Sequence, residues 1–311
     1  MKIRSAILSA IPAAAALLAS VPAHALTIGA TFGVGVSAAA QTAFNFAKTE
    51  FENLYSDAIT INIAVAAGNT GLGGSSTNLQ FNTYGQFNTA LTGDSKSAND
   101  AIAVANLPGA SPFPASQGFL LSFAEAKAIG LRGANDAATD GTFTFNSTLA
   151  YTFNPLNRQV PGQFDFIGVA EHEISEIMGR IPGLNTPGFP FFLGYDVFRF
   201  KGNGVRSFTD EAGAYFSINN GATNLKGFNF AHGNGSDPQD WDASDPTDPF
   251  DAFTGSGQGH AISAVDVVAM DVLGYDLKAA VVPEPETYAL MLAGLGVLGA
   301  TARRRLNARR D

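Results

Sequence analysis

The residues DFIGVAEHEISEIMGR, Asp165 to Arg180, constrain the fold more than any other stretch, because only a helix sorts their polar side chains from their apolar ones. At about 100° per residue, with His172 taken as zero, Glu176 falls at about 40°, Arg180 at about 80° and Glu173 at about 100°. Ile167, Ala170, Ile174, Ile177 and Met178 fall on the opposite side, between roughly 140° and 240°. The spacing predicts a helix with a buried apolar face and a polar edge carrying one imidazole and two carboxylates, ended by Gly179 and Pro182.

The familiar zinc-binding arrangement on a helix is H-E-x-x-H, and here Glu176 stands at the second histidine position. A carboxylate ligates zinc at about 2.0 to 2.2 Å, but it is harder and more negative than imidazole. The plain structural alternative is that Glu176 pairs with Arg180 at i,i+4 on a solvated face, an interaction of only about 0.3 to 0.5 kcal/mol.

Both ends of the chain read as targeting segments. At the N-terminus Lys2 and Arg4 precede an apolar run, and Ala23 and Ala25 flank His24, the pattern of a secretory signal peptide (residues 1–25) cleaved by signal peptidase after Ala25. At the other end Val282-Pro283-Glu284-Pro285 leads into an apolar run from Tyr288 to Ala302, followed by Arg303, Arg304, Arg305, Arg309 and Arg310. The run is short for a spanning helix, which needs about 17 to 25 residues, but the order of its three parts resembles the PEP-CTERM sorting signal of Gram-negative bacteria, here residues 282–311. That resemblance implies a short transmembrane segment held in the inner membrane with its arginines in the cytoplasm. It also implies an exosortase-type sorting enzyme as partner and a final place at the cell surface or in the extracellular matrix. A permanent single-pass anchor is the alternative.

The net charge is −9, and seven of the eighteen Lys and Arg lie in these two ends, so the body between them is more acidic still. Such a body excludes nucleic acid as a natural partner and suits cation binding or simple solubility. No cysteine is present, so the exported body has neither a disulfide framework nor a thiolate metal site. Any metal is held by His, Asp, Glu or water.

Along the body, Gly35 to Tyr55 reads as an amphipathic helix, Ile59 to Ala66 as a strand, and the Gly/Ser/Asn-rich Gly68 to Thr77 as a loop. Ser97 and Ser122 each open a short helix. Asp140 to Phe153 reads as a strand or hairpin, Phe191 to Lys201 and Ala214 to Asn219 as short strands, and Ser263 to Tyr275 as a closing helix. This order, with the runs DFIGVAEHEISEIMGR and DGTFTFNSTLAYTF and the closing ISAVDVVAMDVLGYDL, resembles the zincin class of metallopeptidases, its last helix being similar to that of matrixin-type metzincins. HEISEIMGR, GYDVFRF, GAYFSINNGATNLKGFN, QDW and AVDVVAMDVLGYD are more narrowly similar to a family of exported bacterial zincin-like metalloproteases. The likeness covers Phe143 to Leu277 well and the N-terminal third loosely. It implies an α+β fold over residues 26–281, a single zincin-like domain with a small mixed sheet, an active-site helix and a closing C-terminal helix.

The resemblance further implies that His172 and Glu176 bind a divalent metal, zinc first. Glu173 then serves as the general base that takes a proton from an activated water and passes it to the leaving amine of a peptide or protein substrate. A metzincin draws its third ligand from H-E-x-x-H-x-x-G-x-x-H. Gly179 matches the glycine but Pro182 replaces the last histidine, so the third ligand lies downstream. Asp196, an acid inside the aromatic GYDVFRF, is the first candidate and His232 the reserve, while His260 reads as a surface histidine in a Gly-rich loop. A site of one imidazole and two carboxylates also suits manganese, iron or calcium. Asp237, Asp240, Asp242, Asp245, Asp248 and Asp251 form an acidic run that is either a calcium-binding or a solvated loop, with Trp241 anchoring it on the core. Two functions follow as expectations: an exported, membrane-sorted metalloprotease, or a non-catalytic surface or matrix protein that keeps the scaffold and binds polysaccharide or calcium.

Overall fold

A mixed four-stranded sheet and the helix laid across it position everything that matters for the site. The computed structural model describes residues 25–69, 71–114, 116–184, 188–230 and 236–278. Of the chain's two compact units, Met1–Asp276 and Leu277–Asp311, the first holds every described helix and strand. Residues 1–24 of the expected signal peptide, the sorting tail and His232 lie outside the described residues.

The chain enters through β1 (Thr27–Phe32), and α1 (Ala38–Leu54) follows, opened by Ser37, whose hydroxyl accepts from the Ala40 amide at 3.2 Å. Helix α1 buries Ala40, Phe44, Ala47 and Phe51, a stripe at helical spacing. In β2 (Thr60–Gly68), Ile61, Ile63 and Val65 alternate inward, as β-branched residues on a half-buried strand do. Next come β3 (Gly73–Thr77), β4 (Leu79–Asn82), α2 (Tyr84–Asp94), α3 (Ala98–Ala105), β5 (Gly118–Ser122), α4 (Phe123–Ala128) and β6 (Gly141–Asn146). The main sheet has the order β1-β2-β6-β3, parallel except for β3, which pairs antiparallel with β6 and forms the edge. The loop expected over Gly68 to Thr77 is therefore half strand. Its Gly-Gly-Ser-Ser-Thr run has no apolar alternation of its own and is extended because β6 templates it.

The expected strand or hairpin over Asp140 to Phe153 resolves into β6 and a separate β7 (Tyr151–Thr152), which pairs parallel with β8 (Phe164–Asp165). Helix α5 (Phe166–Ile177) then starts from Asp165, whose carboxylate accepts from the Ile167 amide at 3.1 Å. It packs on α1 and β3. Phe143 links the layers, with its ring centroid 5.9 Å from Phe44 and 5.8 Å from Phe166. Beneath the sheet, the buried Lys127 ammonium donates to Asp140 at 2.6 Å and to the Thr60 carbonyl at 2.8 Å, so its charge is compensated where it lies.

The strand expected over Phe191 to Lys201 is broken. β9 (Phe191–Leu193) pairs with β5, a 3₁₀ turn covers Gly194–Phe198, and β10 (Arg199–Gly202) joins β11 (Val205–Arg206), β12 (Tyr215–Phe216) and β13 (Lys226–Gly227) in a second four-stranded sheet. The closing helix α6 (Ala264–Asp271) carries the capping box of Ser263 and Asp266. The described residues thus form an α+β fold with small mixed sheets, and none of their helices is long and apolar enough to cross a membrane.

Candidate metal centre

Helix α5 presents its polar edge to a cavity of roughly 360 Å³, not to solvent. Gly73, Gly74 and Ser75 of β3 form one wall, Gly168, His172, Glu173 and Glu176 of α5 the floor, and residues of the 236–260 segment the rest. Gly73 is required by the close approach of strand and helix: a Cβ there would lie 2.6 Å from Val169 Cγ1 and 3.1 Å from Glu173 Oε1. The solvated ion-pair reading of the helix is overturned, since Glu173, Glu176 and Arg180 are all buried.

His172 is oriented from outside the helix. Its Nδ1 lies 2.8 Å from the carbonyl oxygen of Pro249, and a carbonyl only accepts, so Nδ1 carries the hydrogen and donates. Nε2 is thereby turned inward, 3.5 Å from Glu176 Oε1 and 3.5 Å from Asp240 Oδ1. Ligand atoms of His172, Glu173 and Glu176 all lie within 4.8 Å of one another. Glu176 is held on both oxygens, by Ser75 Oγ at 2.7 Å and Gln239 Nε2 at 2.7 Å. Arg180 donates to Asp240 at 2.8 Å through Nη1 and to Ser175 at 2.8 Å through Nε, with its guanidinium over the Phe250 ring.

The electrostatics follow from the charges of His172, Glu176, Arg180 and Asp240 packed together at the cavity, with Asp237 beside them. Burial opposes the charged form of His172, but Asp240 and Glu176 overcome it and raise the imidazole to about 10. Burial also opposes ionisation of Glu176, yet His172 and Arg180 hold its carboxyl below the usual range. Glu173 is pushed well above that range by burial and then by Glu176, so the two neighbouring carboxyls share one proton. Among the protein's own groups, Glu176 and Asp240 are balanced by Arg180 and by the proton on His172 Nε2. Nε2 has a carboxylate oxygen of each acid 3.5 Å away, Glu176 Oε1 and Asp240 Oδ1.

The expected third ligand is corrected by this geometry. Asp196 is buried at the 3₁₀ turn, where its carboxylate accepts from the amides of Leu193 at 2.9 Å, Gly183 at 3.0 Å and Leu184 at 3.3 Å, and it is not part of the cavity wall. It clips a loop. The residue brought beside His172 is Asp240, which the sequence reading placed in the acidic run and in the QDW stretch of the resemblance but did not name as a ligand. Its one signal there is the adjacent Trp241, fully buried, whose indole N–H donates to Asp266 at 2.7 Å and fixes Asp240 beside it. His260 is likewise no surface residue. It is 6% exposed, its Nδ1 is 3.1 Å from Asp165 Oδ2, its Nε2 is 2.7 Å from Thr254 Oγ1, and it forms part of the cavity wall.

The donor set fits a divalent ion. One imidazole has its far nitrogen tied to a carbonyl, as metal-bound histidines do, and the carboxylate of Glu176 is steadied by hydrogen bonds from outside the set. Residues 281–305 match the PEP-CTERM protein-sorting motif. No curated protein and no solved structure matches the chain. The motif makes this an exported protein of Gram-negative type, sorted through the membrane, with an exosortase-type sorting enzyme as a partner.

Proposed function

We propose that the exported body is a zincin-like metallopeptidase, with His172, Glu176 and Asp240 holding a divalent metal and Glu173 as general base. The observation that carries this reading is the closeness of His172, Glu173 and Glu176, whose ligand atoms lie within 4.8 Å of one another in one cavity, with Asp240 Oδ1 a further 3.5 Å neighbour of His172 Nε2. One nitrogen and two oxygens suit zinc and equally the harder manganese or iron. Bound there, the ion supplies Lewis acidity and a positive charge beside Glu173. The protein's own groups do the rest. Pro249 holds the imidazole in its tautomer, and Ser75 and Gln239 fix the Glu176 carboxylate. Glu173, neighbour to the set but not needed to complete it, takes a proton and returns it to a leaving amine. The open edge of β3 runs along the cavity, so an extended peptide can pair with it as an added strand.

A second reading rests on Arg180. Its guanidinium already bonds Asp240 and approaches Glu176 to 3.9 Å, so the corner is close to neutral without any ion. That favours a non-catalytic surface protein on the same scaffold, binding polysaccharide or calcium elsewhere. Metal analysis and peptide cleavage by the purified full chain separate the two. The metallopeptidase binds one zinc or manganese and loses at least about 10²-fold in cleavage as Glu173→Gln, with metal content unchanged. Full activity in that variant refutes the role of Glu173, and a folded chain that takes up no ion at this centre refutes the site.

A further inference from the structure

The metal centre leaves the loop from Asp245 to Asp251 unexplained. Two successive backbone bonds, Asp248 N–H to Asp245 O at 3.0 Å and Asp251 N–H to Asp248 O at 3.3 Å, wind this loop at about three residues per turn. The carboxylates of Asp248 and Asp245 lie close enough to Asp251 for their charges to act on it.

Two of the three are accounted for. Asp245 accepts from the Thr247 hydroxyl at 2.7 Å and amide at 3.2 Å, while Asp248 accepts from the Phe250 amide at 2.8 Å and from the Lys226 ammonium. Asp251 is not. It is 6% exposed, and neither of its oxygens has a hydrogen-bond partner. Burial, then Asp248 and Asp245, hold its carboxyl up at about 7 against the pull of Lys226 and of the Asp245 amide. The positive charge acting on this buried carboxylate and its two acidic neighbours is that of Lys226, which is already bound to Asp248.

We propose that the Asp245–Asp251 loop is a second cation site, for calcium, on the wall of the cavity that also holds His172, with Asp251 supplying the principal carboxylate and Asp245 and Asp248 completing its acidic side. Calcium takes six to eight oxygen ligands in irregular geometry, which suits a short loop of carboxylates and carbonyls on a protein exported to a calcium-bearing exterior. The loop also reaches the first site: Pro249, whose carbonyl orients His172, lies between Asp248 and Asp251. Calcium at Asp251 therefore fixes the hydrogen bond that aims His172 Nε2. The inference concerns cation binding and stands apart from peptide hydrolysis.

The chain's only tryptophan reports on it, because Trp241 N–H donates to Phe250 O at 2.9 Å and Ala252 N–H donates to Trp241 O at 3.1 Å. The test titrates Ca²⁺ into chelator-stripped, purified full chain, followed by calorimetry and Trp241 emission. One Ca²⁺ per chain is expected, retained in His172→Gln and weakened at least tenfold in Asp251→Asn. Melting gives a second readout: in chelator Asp251→Asn melts at or above the wild type, and in millimolar calcium the order inverts. Equal calcium affinity in Asp251→Asn and wild type overturns the proposal, as does a wild-type melting temperature indifferent to calcium, or loss of calcium in His172→Gln but not in Asp251→Asn. Should the calcium pattern hold in a chain that cleaves no peptide, the loop site stands and the peptidase reading falls.

Discussion

The Nδ1 of His172 donates to the Pro249 carbonyl at 2.8 Å, and this bond leaves Nε2 as the only ring atom able to serve Glu176 and Asp240. With the imidazole raised to about 10 from an ordinary 6.5, Nε2 carries a proton at neutral pH. A raised folded pKa stabilises fully below about 6.5, and that stabilisation is lost as pH rises through about 10. An incoming divalent ion has to displace the same proton. Calorimetric zinc titrations at pH 7.5, in buffers of different ionisation enthalpy, are expected to show release of about one proton per ion. A buffer-independent heat would contradict this assignment.

Asp240 lies 3.5 Å from His172 Nε2, whereas Asp196 accepts from the amides of a distant loop. Asp240→Asn is expected to weaken zinc or manganese binding by at least tenfold while the chain stays folded, because the amide keeps the shape but loses the charge. Asp196→Ala leaves the amides of Gly183, Leu184 and Leu193 without their acceptor and is expected to cost roughly 2 to 4 kcal/mol of stability with metal affinity unchanged. Urea unfolding and metal titration on both variants check the pair. Loss of metal in a folded Asp196 variant would restore it as a ligand.

What could be read in advance was periodic or local. Helix α5, with its apolar stripe, and the Ser263–Asp266 capping box announce themselves within a few residues. The edge strand β3 could not be read this way, because Gly-Gly-Ser-Ser-Thr is extended only through its pairing with β6. Nor could spacing separate Asp196 from Asp240. A buried acid that gathers backbone amides and one that faces a histidine have the same letter, and the difference lies in which chain segments fold around them. The polar edge of α5 was legible as polar but not as buried, since burial depends on the distant 236–260 segment that covers it.

Two buried carboxyls outside the His172 cavity predict the pH dependence of stability. Burial, then Asp276, raises Asp57 to about 7, and burial, then Asp248, raises Asp266 to about 8. For an acid whose folded pKa is raised, the folded state holds the extra proton, so stability is greatest below about 4 for these groups and falls as pH rises through 7 to 8. Denaturation in chelator is expected to show a loss between pH 5 and 8, and Asp57→Asn should remove roughly 2 to 4 kcal/mol of it. An unchanged pH slope in that variant would count against a raised Asp57.

Gly168 sits one turn before His172, and the ring of His260 lies over it. A Cβ at this position would be 2.4 Å from His260 Nδ1 and 2.6 Å from its Cγ. Helix propensity alone makes Gly→Ala in a helix interior stabilising by up to about 1 kcal/mol. The contact argues the opposite sign, because the imidazole has to leave and give up its 3.1 Å bond to Asp165, the residue that caps α5. Gly168→Ala is expected to destabilise by roughly 1 to 3 kcal/mol, and the same change in a His260→Ala background to be neutral or stabilising. A double-mutant cycle by urea unfolding decides the matter: if Gly168→Ala alone stabilises, the packing of His260 against the metal-centre helix is not what holds this wall of the cavity.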